Sequence, residues 1–250
     1  MIQEAPLTDR LVGLWDYLGV RAAHVASQMP ADLDGLVRSH PGRIAGLALC
    51  EATSVDPAPL AALASRLTVV AGDAGMSGPV AERVVPLLPG CRRVTLAGYG
   101  APIWGDCVAD NTEAIVSALC ALPGEASTPA GLPERGSHAG ITYSIRGEGP
   151  ALVLMPLFLA PSQWEAALPA LAARYTVITL GGRHLGGVAL LEDRAMSPSY
   201  RAMVTTLLEV MAPVAGEALL EVGCGSGAST RLAARRSGGT TAITAVDINA

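Results

Sequence analysis

The stretch Ala218–Ser229, ALLEVGCGSGAS, sets the architecture to look for in the whole chain. Ala218-Leu219-Leu220 is a short apolar run suited to a buried strand, and it ends at Glu221 before a loop with glycines at 223, 225 and 227. Thr230 to Arg236 then suits a helix. Strand, glycine loop and helix form a cradle for a nucleotide cofactor. Glycine lets the backbone approach a ligand, and a helix start presents N–H groups without intrahelical partners. A second strand, Thr241 to Val246, leads to Asp247, whose carboxylate is placed to accept both hydroxyls of a ribose.

The same alternation of strand and helix runs through the preceding residues. Helical spacing over Asp9–Leu18, Asp32–Ser39, Pro59–Arg66, Val80–Leu88 and Val108–Leu122 alternates with apolar strand runs at Ala22–Ala26, Ile44–Cys50, Leu67–Ala71 and Arg93–Ala97. Residues 125–137, EASTPAGLPERGS, are rich in Pro, Gly, Ser and Thr and predict a flexible linker. Strands follow at Gly140–Arg146, Ala151–Met155 and Thr176–Leu180, with an amphipathic helix over Ser162–Arg174. The predicted fold class is α/β, a mostly parallel sheet with helices on both faces, followed by a partial Rossmann-like β-α-β unit. The predicted division is 1–124, a linker at 125–137, then 138–188 and 189–250.

Composition narrows the function. The 250 residues are half apolar, enough for a sizeable core, and the net charge is −5. All 17 basic residues are Arg, and they cluster no further than the pairs Arg92-Arg93 and Arg235-Arg236. A nucleic-acid footprint is therefore not expected. The N-terminus lacks a secretory pattern and the longest apolar stretch, near Ala151–Ala160, is too short to span a bilayer, so a cytoplasmic protein with no membrane partner is expected. Cysteines 50, 91, 107, 120 and 224 are scattered and odd in number, which suggests neither a disulfide framework nor a zinc site.

Asp16–Ala52, Arg66–Gly75 and RRVTLAGYGAPIW with the helix after it resemble the C-terminal half of an α/β-hydrolase, and Ile141–Gly187 resembles its N-terminal half. The family's G-x-S-x-G nucleophile turn corresponds here to Ala26-Ser27-Gln28-Met29-Pro30, which puts Gln28 at the nucleophile position and Ser27 one place early. The resemblance places the acid near Gly75, with Asp73 displaced, and the histidine near Tyr99–Pro102, where there is none. His24 and His40 fit packed or solvated roles. The loop MPLFLAPSQW stands where the family puts an oxyanion-hole amide, making the N–H of Leu157 or Phe158 the candidate donor. Arg183 and His184 are a further loop candidate. A hydrolase scaffold without its chemistry is expected, its halves in reversed order. If they complete one circularly permuted sheet, Leu152–Leu154 must share a sheet with His24.

Tyr200–Ala250 resembles the N-terminal end of a class I S-adenosylmethionine-dependent methyltransferase, with E-x-G-x-G-x-G as Glu221, Gly223, Gly225 and Gly227. The resemblance implies that Glu221 and the glycines hold the methionine part of S-adenosylmethionine and that Asp247 holds its ribose. The looser dinucleotide fingerprint is also met, by Gly223-x-Gly225-x-x-Ala228, but Glu221 would repel a pyrophosphate and suits an ammonium. Cys224 fits a small packing residue. Only the first two strands of that fold are present, so a fragment or truncated form is expected, with the methyl acceptor and catalytic residues unspecified. The alternatives are an α/β-hydrolase with an unusual nucleophile and a non-enzymatic interaction module.

Overall fold

The computed structural model describes residues 5–103, 105–131, 133–158, 160–182 and 185–247. The chain divides into two compact units, Met1–Gly186 and Gly187–Ala250.

The first unit is built on an eight-stranded sheet. In chain order its elements are α1 (Leu7–Tyr17), β1 (Ala23–Ser27), α2 (Asp34–Ser39), β2 (Ile44–Cys50), α3 (Pro57–Leu60), β3 (Leu67–Gly72), α4 (Ser77–Val84) and β4 (Arg92–Leu96). They continue with α5 (Cys107–Asp110), α6 (Thr112–Cys120), β5 (Arg135–His138), β6 (Ile141–Arg146), β7 (Ala151–Leu154), α7 (Leu168–Ala172) and β8 (Thr176–Gly181). The strand order is β4-β3-β2-β1-β7-β8-β6-β5. All neighbours from β4 to β8 are parallel, and β6 is antiparallel to both β8 and β5. Residues from the two predicted segments meet at its centre, where His24, Val25 and Ala26 pair with Leu152, Val153 and Leu154.

Strand periodicity sends alternate residues to opposite faces, and both faces are covered. Val25, Leu47, Val69, Val153 and Ile178 join Leu11, Trp15, Leu36 and Val80 in one core. Their neighbours Ala26, Ala48, Val70, Leu152 and Val177 join Ile115, Leu119, Trp164 and Leu171 in the other. This is why the central strands lack polar alternation: every residue of β1, β2, β3, β7 and β8 is buried. Only the edge strands β4 and β5 are largely exposed.

Several helices are shorter than their periodicity predicts. Val108–Leu122 breaks at Asn111 into α5 and α6, and Ser162–Arg174 becomes a 3-10 turn at Pro161–Trp164 followed by α7. The stretch predicted as a flexible linker is tied down. The Ser127 N–H donates to the Ala22 carbonyl, its hydroxyl oxygen accepts from the N–H groups of Arg21 and Ala22, and its carbonyl accepts from the Ala151 N–H. The connection therefore passes beneath the amino ends of β1 and β7. Strand β5 begins at Arg135, inside that stretch, and joins β6 through a two-residue turn, Ala139 (φ 50°) and Gly140 (φ 72°), the left-handed pair of a type I′ hairpin.

The second unit takes in α8 (Gly186–Met196, from its second residue), α9 (Pro198–Met211), β9 (Ala218–Val222), α10 (Ala228–Arg236) and β10 (Ala242–Val246). Helix α8 has no counterpart among the sequence expectations. Ser197 caps α9 by accepting the Tyr200 N–H. Strands β9 and β10 pair in parallel, Ala218 with Ala242 through Val222 with Val246. The core here is small: Val204, Leu208 and Ala233, backed by Tyr200, Leu232 and Ile243. Leu220, Val222, Val210 and Leu207 are exposed. Among the described residues no helix is long and apolar enough to cross a membrane.

Candidate functional sites

In the first unit, chemistry-bearing groups gather at the carboxyl ends of β1, β2, β3 and β7. The chain leaves β1 for β2 on one side and β7 for β8 on the other, so β1 and β7 flank the switch point of the sheet, the usual place for a ligand crevice. Gln28, directly after β1, is 3% exposed. Its side-chain oxygen accepts the Phe158 N–H at 2.7 Å, and its NH2 donates to the carbonyls of Glu51 (3.3 Å) and Ile103 (3.2 Å). The nucleophile position and the candidate oxyanion donor of the sequence reading are thus brought together, and they bond to each other.

The remaining catalytic candidates are elsewhere or engaged. Ser27 is fully buried, and its hydroxyl both donates to the Met29 carbonyl and accepts the Met29 N–H, which closes a local turn. Asp73 accepts the Gly98 N–H. His24 lies near the amino end of β1, about 13 Å along the strand from Gln28 at ~3.3 Å per residue. Burial lowers its pKa, its Nδ1 has no hydrogen-bond partner among the described residues, and its ring stands edge-on to Tyr175. Arg183 and His184 lie outside the described residues.

The sequence reading missed Glu51. It directly follows β2 with φ 53°, a left-handed conformation that residues other than glycine rarely adopt. One carboxylate oxygen accepts the Gly72 N–H at 2.6 Å, the other the Ser77 hydroxyl at 2.8 Å, and the Glu51 N–H donates to Val70. Burial pushes its carboxyl above the usual range, with the bonds from Ser77 and Gly72 pulling the other way. Burial, with the Glu51 charge adding to it, also pushes the neighbouring Cys50 thiol up to about 12, far from the reactive range. The available signal was the run IAGLALCE, an acid closing an apolar strand, as Glu221 closes ALLE.

In the second unit the sequence candidates converge at the carboxyl ends of β9 and β10. Gly223 (φ 75°), Gly225 (φ 54°) and Gly227 (φ 74°) are all left-handed, and Gly227 caps α10. A side chain would be strained at each. A Cβ on Gly223 would meet nothing within 4 Å, whereas one on Gly225 would sit 3.0 Å from Leu191 Cδ1. Glu221 accepts hydroxyl hydrogen bonds from Ser229 and Thr230. Asp247 accepts the Gly225 N–H at 2.7 Å. Arg231 braces the loop, donating to the Ser226 carbonyl and pairing with both oxygens of Glu192. Above the loop is a cavity of about 240 Å³ lined by Leu191, Arg194, Tyr200, Gly223, Gly225 and Ser229, among others. A larger cavity, about 370 Å³, lies at the amino ends of β9 and β10, away from these groups. The glycine loop is the better candidate because its polar groups converge.

Two carboxylates, Glu221 and Asp247, thus flank the glycine loop and are both engaged with it, Glu221 through the Ser229 and Thr230 hydroxyls and Asp247 through the Gly225 N–H. No cluster of His, Cys, Asp and Glu fit to hold a metal ion exists among the described residues. No protein-family model, curated protein or solved structure matches the chain.

Proposed function

We propose that the second unit carries the S-adenosylmethionine-binding end of a methyltransferase, and that the first is a circularly permuted α/β-hydrolase-like sheet without hydrolytic chemistry. The observation that carries the first statement is the alignment of three left-handed glycines between a strand bearing Glu221 near its end and a helix start, with Asp247 closing the loop from the next strand. When bound, the cofactor supplies an electrophilic sulfonium methyl group. The chain's own part would be binding and orientation: Glu221 would pair with the ammonium, the first turn of α10 would favour the carboxylate, and Asp247 would accept ribose hydroxyls. The methyl acceptor would meet the cofactor through groups outside this constellation.

Topology supports the second statement. Consecutive strands β4 and β5 stand at opposite edges of the sheet, so their connection must cross it. Counted from β5 and continuing into β1, the order becomes β5-β6-β8-β7-β1-β2-β3-β4, with one local exchange and no crossing of that kind. Gln28, whose amide cannot attack an acyl carbon, stands where the family has its nucleophile, and the remaining triad positions hold no working partner.

A second reading, a non-enzymatic interaction module, is favoured by the exposed Leu207, Val210, Leu220 and Val222. Calorimetric titration separates the two. Heat with S-adenosylmethionine, none with NAD, and a weakening of about tenfold or more in Asp247→Ala support the cofactor reading. A folded protein giving no heat with S-adenosylmethionine removes it and leaves the interaction module.

A further inference from the structure

The three groups around the Gln28 side chain form a matched set. Phe158 offers one N–H, and Glu51 and Ile103 each offer a carbonyl oxygen. One donor and two acceptors are the complement of a primary carboxamide, which presents one oxygen and two N–H groups. The set also fixes the amide's orientation, since only its oxygen can face the Phe158 N–H. A carboxylate fails here because its second oxygen would face two carbonyls, and a hydroxyl is too short to reach all three.

The set is built, because the least common backbone geometry in the crevice belongs to one of its members. Glu51 holds φ 53° and its carbonyl accepts from Gln28. That conformation is over-determined by three further bonds: the Glu51 N–H to Val70, and its two carboxylate oxygens from Gly72 and Ser77. The loop bearing Ile103 is held in turn by the Gly105 N–H to Pro102 and by Gln163 donating to Gly105. Strained or special backbone maintained by several independent bonds is characteristic of binding sites.

We infer that the switch-point crevice of the first unit is a primary-carboxamide site whose occupant is the chain's own Gln28, acting as a tethered ligand that latches Phe158 and Ile103 onto the end of β1. The site stands on hydrogen bonds alone and does not depend on the hydrolase-like or cofactor readings. Its occupation by Gln28 closes the crevice to outside acyl groups.

The test is chemical rescue. Gln28→Gly removes the atoms of one propionamide, takes from two carbonyls and one N–H their side-chain partner, and lowers the unfolding midpoint of the first unit by roughly 5–10 °C. Propionamide added to the variant raises that midpoint progressively with its concentration, by linkage to binding, while propionate at equal concentration and ionic strength does not. Wild-type protein responds to neither. No response of the variant to propionamide, or an equal response to propionate, overturns the inference. If Gln28→Gly does not fold, the wild-type protein decides: the Gln28 NH2 protons exchange with solvent at least about tenfold more slowly than those of an exposed glutamine side chain. Exchange at the exposed rate overturns the inference.

Discussion

Glu51 and Glu221 both lie at the carboxyl end of an apolar parallel strand, Glu51 directly after β2 and Glu221 last but one in β9, yet their surroundings differ in kind. Glu51 sits beneath a sheet buried on both faces, and the groups around it are satisfied internally: Gly72, Ser77, Val70 and Gln28 are all its partners. Glu221 sits in a two-stranded sheet with an exposed face, under a glycine loop that opens onto a cavity of about 240 Å³. An acid at a strand end is therefore an indicator of a polar crevice and not of its use. Whether the crevice is filled from within or left for a ligand depends on residues distant in sequence.

The comparison can be broken most forcefully through packing. Leu47→Ala, in the doubly covered sheet, is expected to destabilise the first unit by about 2–5 kcal/mol, while Val222→Ala, on the exposed strand, changes stability by less than about 0.5 kcal/mol. Denaturant titration of both variants checks the contrast, and comparable losses would show that β9 is as well covered as β2.

Gly225→Val tests the open loop. The backbone is left-handed there and a Cβ would press on Leu191, so S-adenosylmethionine affinity is expected to fall by about tenfold or more, while the unfolding of the first unit is unchanged. Isothermal titration alongside thermal unfolding reads both quantities.

The closed site is sharpened by pH. The folded Glu51 carboxyl titrates above its unfolded value, so the folded state holds the extra proton between the two. Glu51's contribution is therefore most favourable below the ordinary glutamate pKa of about 4.3 and is lost as pH rises through the raised folded value. Glu51→Gln should flatten that part of the stability profile. Urea midpoints measured from acid to neutral pH for both proteins give the difference, and parallel profiles would contradict the assignment. The smallest effect is expected at the β5–β6 turn, where Ala139 has φ 50°: Ala139→Asn should stabilise by roughly 0.5 kcal/mol, measured by the same titration.

Much of this was legible from local pattern. Unbroken apolar runs such as Ile44–Cys50 mark strands buried on both faces, and the spacing of Gly223, Gly225 and Gly227 marks a left-handed loop because few other residues tolerate that backbone. Gln28 was legible as an amide side chain directly after an apolar strand. Its three partners were not, since Phe158 lies 130 residues away and periodicity carries no information about such pairs. The left-handed φ of Glu51 also escaped notice, because non-glycine residues give no compositional sign of it. Residues 125–137 misled for a different reason: their Pro, Gly and Ser content describes a chain without regular structure, and Ser127 fixes its course through several hydrogen bonds to Arg21 and Ala22, before β1, and one to Ala151 of β7.

The contrast between the two crevices is tested most directly by an amide-resolved NMR titration of the intact chain with S-adenosylmethionine. Shifts are expected only at the N–H groups of residues 223–229 and 247, with the Gln28 side-chain amide and the Phe158 N–H unmoved. Shifts centred on Gln28 and Phe158, or none anywhere at millimolar cofactor, would contradict that contrast.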